Sequence, residues 1–483
     1  MKLKELLAGI EVLEATADLE LNIDSIAYDS RKVVPGGLFV AITGFAADGN
    51  RFIPMALEKG AVAVVTAKRP AGDVPYVLVA SDRLALAMLG CNFYGHPARS
   101  MTMIGITGTN GKTSSTLLLK HILEQTRGAK VGLIGTMENQ IGDEAIPAER
   151  TTPESLDLQA LFARMRDADC SYVVMEVSSH AVELERVGGV FFDVAAFTNL
   201  TEDHLDFHKT MEAYCDAKAK LFARCGKAVI NCDSPWAERI SAHAPSECIR
   251  YSVEKPEELY ASDAELRADG VSFVAHHGKE TVPVSLPIPG GFTVYNALTV
   301  LGTALQLGIS LQESARALKN AHGVKGRVEV VPTPGMPFTV LIDYAHTPDG
   351  LENVLSSVKA YCKGRLIAVF GCGGDRDPIK RPIMGRIGVR IADLAVITSD
   401  NPRTEVPSAI IEDILKGIQP DDGAYVVMDD RRKAIRYAMD IAGKNDIIIL
   451  AGKGHETYQE INGVKYHLDE REEVAQHLKE MRS

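Results

Sequence analysis

The chain has 483 residues, of which 46% are hydrophobic and 24% charged, and its formal net charge is −12. These are the proportions of an ordinary globular protein, and the length predicts about three domains of roughly 150 residues each. The acidic balance argues against nucleic acid as a general partner, and no apolar run reaches the ~18 residues of a membrane span. The first ten residues hold two lysines and only a short apolar run, so no signal peptide is expected. The eight cysteines form no Cys-x-x-Cys pair, and several sit in apolar or helical segments. Reduced thiols in a cytoplasmic protein are therefore expected.

The first segment, 1–97, reads as a small α/β domain. Strands are predicted at 37–42, 61–65 and 76–79, with helices at 54–59 and 82–94. Asp29-Ser30-Arg31 offers hydroxyl and guanidinium donors that suit a phosphate or uracil ligand. Alone, the trio fits a turn with a surface ion pair better than a ligand site.

The second segment, 98–327, carries Gly105-Ile106-Thr107-Gly108-Thr109-Asn110-Gly111-Lys112-Thr113-Ser114. An apolar strand-like run precedes it, and leucines at helical spacing follow it. Strand, glycine-rich turn and helix form the context of a phosphate-binding loop. The loop departs from the strict pattern, with Ile106 where a glycine is usual. Backbone N–H groups from Gly108 to Ser114 would face phosphate oxygens, aided by the helix N-terminus. Lys112 would reach the β- and γ-phosphates, and the Thr113 hydroxyl would hold Mg²⁺, so ATP use is expected.

Beyond the loop, strands are predicted at 131–134, 172–177, 194–198 and 228–230, separated by helices. This is a βαβ pattern with a mainly parallel sheet, the architecture of P-loop ATPases. Its polar motifs fall at strand ends, where such sheets collect ligands. Glu176 ends the apolar run Val173-Val174-Met175, where a carboxylate is costly unless paired or bound to metal. Thr113 and Glu176 are hard-oxygen candidates for Mg²⁺, and His204 lies in a cluster of acids at the next strand end.

The third segment, 328–483, repeats the alternation. Strands are predicted at 339–342, 366–370, 394–398, 425–428 and 447–450, with helices between them at 351–360, 384–392, 408–417 and 431–442. This is a doubly wound, Rossmann-like domain. Polar or glycine-rich tips end its strands: Asp343-Tyr344-Ala345-His346, Gly371-Cys372-Gly373-Gly374-Asp375-Arg376, Asp400-Asn401-Pro402-Arg403 and Gly452-Lys453-Gly454-His455-Glu456. Helix caps and turns use the same residue types.

In this order, Gly-x-x-Gly-x-x-Gly-Lys-Thr, Glu-Val-Ser-Ser-His, Thr-Asn-Leu-x-x-Asp-His-Leu-Asp, Asp-Tyr-Ala-His-x-Pro and Gly-Lys-Gly-His-Glu resemble the motif set of the Mur ligases of peptidoglycan synthesis. The resemblance covers all three segments. Folylpolyglutamate synthetases share the ATP-binding part but are not expected to carry Asp-Ser-Arg and Pro-Gly-x-Leu-Phe-Val-Ala near the start. A P-loop kinase or ATPase and a non-catalytic binding protein on the same scaffold are the other readings.

The resemblance implies three small-molecule substrates: ATP, a UDP-muramoyl dipeptide and an amino acid. A monomer is expected. MgATP would be held by Lys112, Thr113 and Glu176, with Asn296, Arg327, Asp343 and His346 as further nucleotide contacts. His204 would lie near a second Mg²⁺. Lys218, within Tyr214-x-x-Ala217-Lys218, matches the site of a carbamylated lysine that would hold this ion. Ser30 and the loop Phe45, Ala46 and Ala47 match the uridine-nucleotide site. Thr151, Thr152, Ser178 and Arg186 match contacts to the muramoyl peptide. Asp400, Asn401, Pro402 and Arg403 resemble the signature for meso-diaminopimelate rather than L-lysine, with Arg376, Gly452 and Glu456 completing that pocket. Arg403 would pair with the distal carboxylate.

Overall fold

The run Met103-Ile104-Gly105-Ile106-Thr107 is buried without a break, as a central parallel strand must be when both its faces are covered. A computed structural model of the protein describes residues 1–44 and 48–481. By contacts the chain divides into two units. One comprises Met1–Ser252, Glu257–Leu259 and Thr299–Ser314, and the other comprises Val253–Pro256, Tyr260–Leu298 and Ala315–Ser483.

The first unit holds two sheets. The smaller orders its strands Val12–Ala15, Tyr76–Val79, Ala61–Thr66, Gly37–Ala41 and Ser25–Ala27. All are parallel except the edge strand Val12–Ala15. Every residue of Gly37–Ala41 is buried, and separate apolar clusters cover the two faces. The helix Asp82–Phe93 packs on Ser155–Asp167, whose Leu156 joins the core of the smaller sheet.

The larger sheet of this unit runs Cys248–Ser252, Cys225–Asn231, Phe192–Phe197, Thr102–Thr107, Tyr172–Glu176 and Val131–Ile134, all parallel. Glu138–Ile141 and Glu144–Pro147 extend it as an antiparallel edge. From Thr102–Thr107 the chain crosses two places along the sheet to Val131–Ile134, and it later returns to the opposite side with Phe192–Phe197. Strand order therefore reverses beside Thr102–Thr107, and ligand crevices form at such points. Register sets Glu176 opposite Ile106, and Phe197 opposite Thr107. The chain beyond both neighbours thus meets the phosphate loop.

The second unit carries a six-stranded sheet ordered Glu329–Val331, Thr339–Asp343, Ile447–Ala451, Leu366–Phe370, Leu394–Thr398 and Tyr425–Met428. Only the first strand is antiparallel. Apolar clusters cover both faces, the doubly wound arrangement expected. The predicted helices occur as Pro348–Lys359, Lys380–Ile391, Pro407–Leu415 and Arg431–Asp440. Antiparallel hairpins that had not been anticipated include Gly270–His277 with Glu280–Leu286, and Tyr458–Ile461 with Val464–His467.

Candidate functional site

The helix Lys112–Arg127 starts directly after Gly111, whose φ of 85° suits glycine. That places Lys112, Thr113 and Ser114 in its first turn. A Cβ on Gly108 would fall 1.9 Å from Thr198 Oγ1, so this loop passes too close to the next strand end for any side chain. The approach lets the Thr198 hydroxyl donate to the Asn110 carbonyl at 2.6 Å, and the Asn110 amide donate to Asn199 Oδ1 at 2.9 Å. Lys112 Nζ donates to the carbonyls of Gly108 and Thr109, at 2.9 and 2.8 Å.

The Thr113 hydroxyl donates to Glu176 Oε1 at 3.0 Å. Glu176 is 1% exposed. Thr136 supplies its remaining partners: its amide donates to Oε1 at 2.9 Å and its hydroxyl to Oε2 at 3.1 Å. Gly135 permits this, because a Cβ there would sit 2.6 Å from Glu176 Oε1. The Thr136 hydroxyl also lies 3.0 Å from that of Thr151. Thr152 Oγ1 donates to the Glu176 carbonyl at 2.8 Å and accepts the Ser178 amide at 3.3 Å. Arg186 Nη1 donates to the Thr152 carbonyl at 3.2 Å. The residues matched to ATP and those matched to the muramoyl peptide therefore meet in one hydrogen-bonded chain. Thr136 links them, and sequence reasoning missed it.

Lys218 lies 1% exposed on the helix Met211–Ala219. Its Nζ donates to the Gly108 carbonyl at 2.9 Å and sits 4.6 Å above the Tyr214 ring. Burial, and then Lys112, push its amine well below the ordinary lysine range, against a smaller opposing pull from Asp203. Lys220 differs: it is half-exposed and pairs with Glu183 at 2.6 Å. Tyr214, also missed, places its hydroxyl 3.2 Å from Thr109 Oγ1 and stacks on His208. His204 is exposed, with φ 54°, and its ring packs edge-on against His180. Among the described residues, no group of three or more His, Cys, Asp or Glu side chains is placed to hold a metal by itself. Thr113 and Glu176 nevertheless present hard oxygens side by side.

Ser30 is buried, with its hydroxyl against Met55 Sδ at 3.3 Å. Asp29 and Arg31 pair with each other, and the guanidinium holds the Asp29 carboxyl down at about 2. Phe45, Ala46 and Ala47 lie outside the described residues.

In the second unit, buried Asp343 accepts the amides of Val328 and Ala345, at 2.8 and 2.7 Å. Burial raises its pKa, against the pull of Arg327. Arg327 lies over the Tyr344 ring, and His346 Nδ1 is 2.7 Å from the Tyr344 carbonyl. Asn296 is buried on the helix Phe292–Gln306.

The strand tips at 400–403 and 452–456 form a second cluster. Lys453, fully buried, donates to Asn401 Oδ1 and Glu456 Oε2, both at 3.1 Å, and lies 3.8 Å from Asp400. Asn401 Nδ2 donates to Glu456 Oε2 at 2.8 Å. Gly452 makes room for Asp400, whose Oδ2 would lie 2.6 Å from a Cβ there. Arg403 has φ 50°. It donates from Nη1 to the Gly374 carbonyl at 2.7 Å, and its Nε lies 3.4 Å from Glu460. The unanticipated hairpin clamps this loop: the Arg403 amide donates to the Glu460 carbonyl at 3.0 Å, and Gln459 Nε2 to the Asp400 carbonyl at 2.6 Å. Pro402 accepts the Glu405 amide, and Arg376 stays at the surface of its own loop.

Three family models match this chain: the Mur ligase middle domain over residues 106–304, the Mur ligase glutamate ligase domain over 326–454, and the Mur ligase family catalytic domain over 22–96. The chain belongs to the Mur ligase family. It is an ATP-dependent ligase that forms amide bonds. It is 46% identical, over 100% of both chains, to the UDP-N-acetylmuramoyl-L-alanyl-D-glutamate–2,6-diaminopimelate ligase of Clostridium tetani. A solved structure of a ligase of that name aligns with a TM-score of 0.76 at 31% identity, covering 100% of this chain and 99% of that one. The MurF ligase from Thermotoga maritima, solved in complex with ADP, shares the fold at a TM-score of 0.61 and 18% identity, over 95% of this chain and 98% of its own.

Proposed function

We propose that this chain joins meso-2,6-diaminopimelate to a D-glutamate carboxylate of UDP-N-acetylmuramoyl-L-alanyl-D-glutamate, using ATP, in peptidoglycan precursor synthesis. The observation that carries the reading is the continuous link from Thr113 through Glu176 and Thr136 to Thr151. It sets the phosphate loop directly beside residues suited to the acceptor peptide. Relatives of that printed name at 46% identity over the whole chain support the choice of substrates.

A carboxylate is a poor electrophile. One of its oxygens attacks the γ-phosphorus of ATP, ADP leaves, and an acyl phosphate results. The amine then attacks the acyl carbon, and phosphate departs from the tetrahedral intermediate. The protein's share is positioning and charge neutralisation. Lys112 turns from its own loop carbonyls to the β- and γ-phosphates. Thr113 and Glu176 would hold Mg²⁺, and carbamylated Lys218 with His204 would hold a second ion. The metal supplies neutralisation of phosphoryl charge. A deprotonated amine at Lys218 is the form that captures carbon dioxide, and its burial favours that form. Asn296, Arg327, Asp343 and His346 are assigned to the rest of the nucleotide. Ser30 and the loop Phe45, Ala46 and Ala47 are assigned to the uridine end, and Thr151, Thr152, Ser178 and Arg186 to the peptide.

Diaminopimelate differs from lysine by a second carboxylate. Asp400, Asn401, Pro402, Arg403, Arg376, Gly452 and Glu456 are assigned to it, with Arg403 facing the extra carboxylate and Glu456 the distal ammonium. No helix among the described residues is long and apolar enough to cross a membrane. Burial pushes the Cys225 and Cys372 thiols up to about 12, so they stay protonated and unreactive. On this reading the reaction runs in the cytoplasm and the enzyme acts as a monomer.

The test is phosphate release from ATP. Release that requires both the UDP-muramoyl dipeptide and diaminopimelate fits the ligase. Release without the amine would identify a kinase or ATPase instead. Lys112→Ala, correctly folded, is expected to lose nearly all turnover.

A further inference from the structure

Gly326 and Gly454 lie backbone against backbone. Both have positive φ, 73° and 54°. A Cβ on Gly326 would fall 2.3 Å from the Gly454 carbonyl carbon. One on Gly454 would fall 2.6 Å from Tyr344 Cβ and 3.0 Å from the Gly326 oxygen. Neither position can carry a side chain unless one of these neighbours moves. The two loops have different assignments. Gly326 precedes Arg327, assigned above to the nucleotide. Gly454 lies between Gly452 and Glu456, assigned to the amino acid.

One side chain outside both loops fastens them together. Arg471 stands in the first turn of the helix Glu470–Glu480. Its Nε donates to Glu329 Oε1 at 2.8 Å. Its Nη2 donates both to Glu329 Oε2 and to the Gly454 carbonyl, the latter at 3.0 Å. Glu329 in turn accepts the Gly326 amide at 2.6 Å. Arg327 is thereby bracketed: the amide before it ends on Glu329 and the amide after it on Asp343. Asp469 holds the guanidinium from another side, with Nη1 donating to it at 3.2 Å. Side-chain exposure is 18% for Arg471, 23% for Glu329 and 10% for Asp469, so water screens this fork less than a surface pair. The Tyr344 ring joins the two loops again, with the Arg327 guanidinium 5.2 Å and the His455 ring 5.0 Å from its centre.

We infer that Arg471, acting through Glu329 and the Gly454 carbonyl, is a positioning residue for two substrates at once: it sets Arg327 for the nucleotide and the loop Gly452 to Glu456 for the incoming amino acid. This deepens the assignment proposed above and rests on it. An ion pair that only tied down the helix would need no bond to the Gly454 carbonyl. Here a planar fork grips one carboxylate with two nitrogens and a loop carbonyl with one of the same nitrogens, a geometry lysine cannot reproduce. Loss of the fork frees both the turn and the loop. The contact of Gly326 with Gly454 then transmits a displacement of either one to the other.

Steady-state kinetics of the full-length wild type, Arg471→Met, Arg471→Lys and Arg436→Met test it, with ATP, the UDP-muramoyl dipeptide and meso-diaminopimelate varied in turn. Arg436 anchors the same helix through Glu473 and Glu480, so its variant reports what loosening that helix does. Arg471→Met is expected to raise KM for ATP and for diaminopimelate by roughly tenfold or more each, and to leave KM for the dipeptide within about twofold. Arg471→Lys should recover part of both losses, and Arg436→Met should move none of the three constants. Unmoved constants in Arg471→Met overturn the inference, as does a rise in only one of the two. An equal rise in all three, or the same pattern in Arg436→Met, marks a merely structural role and overturns it too. Should Arg471→Met not fold, Glu329→Gln, which keeps the shape and removes the charge, reads the same constants. A wild type without diaminopimelate-dependent turnover overturns the substrate assignment and this inference with it. Normal wild-type turnover with unmoved constants in the variant overturns the inference alone.

Discussion

Thr136 grips Glu176 at both oxygens, through its amide at 2.9 Å and its hydroxyl at 3.1 Å. A buried carboxylate satisfied in this way has its orientation set before any cation arrives. Thr136→Val keeps the shape and the amide bond but removes the hydroxyl. It should raise the Mg²⁺ and ATP concentrations needed for half-maximal turnover by roughly tenfold or more, since hydrogen bonds to charged groups are worth about 1.5–3 kcal/mol. Thr136→Ser should restore most of the loss. Steady-state kinetics across a Mg²⁺ series decides it, and an unaltered Mg²⁺ dependence in Thr136→Val would refute the role.

Lys218 is the subject of the second prediction. It is enclosed, burial holds its amine well below the ordinary lysine range, and Lys220 nearby is salt-bridged at the surface. Isotope-labelled bicarbonate should yield a carbamate signal by NMR in the wild type and none in Lys218→Ala. The variant should lose activity and regain part of it with added short carboxylic acids. Full activity in Lys218→Ala would rule the assignment out.

Amino-acid choice supplies the third. Arg403→Ala should lose most activity with meso-diaminopimelate. Wild type should discriminate against L-lysine by roughly two to four decades in kcat/KM, if two charged hydrogen bonds of about 1.5–3 kcal/mol each are lost and add. Equal use of lysine by the wild type would refute the reading of Arg403 without touching the ligase chemistry.

His208 gives a pH dependence. It is buried, stacks on Tyr214 and lies 2.9 Å from the Ser179 hydroxyl. Burial, then His180 and Lys218, depress its pKa from 6.5 to about 4. Between those values the unfolded chain binds a proton that the fold does not, so stability falls as pH drops through that window. Melting temperature should decline from about pH 6.5 towards pH 4, and His208→Gln should flatten that slope. An unchanged slope in the variant would show that other groups set it.

Much of the fold and part of the site were legible from the chain alone. Val173-Val174-Met175-Glu176 announced both a buried strand and a carboxylate needing partners, because an acid that closes an apolar run loses its water and must be compensated locally. Thr136 was not legible. A threonine after a strand looks like any turn residue, and its partner lies 40 positions away. The hairpin Tyr458–Ile461 with Val464–His467 carried a readable sign. Asn462-Gly463 is a strong two-residue turn signal, and both residues have positive φ, yet the polar strands around it gave no apolar alternation to confirm it. The hairpin Gly270–His277 with Glu280–Leu286 was obscured by Pro283 and by charge.

That Asn-Gly hairpin has a consequence for redesign. Gln459 holds the backbone of Asp400 from 59 positions further along the chain, and Glu460 does the same for Arg403. Transplanting the tetrapeptide alone into another scaffold would move the side chains without the brace that aims them. Exchange of amino-acid preference between members of this family should therefore succeed only when both segments travel together.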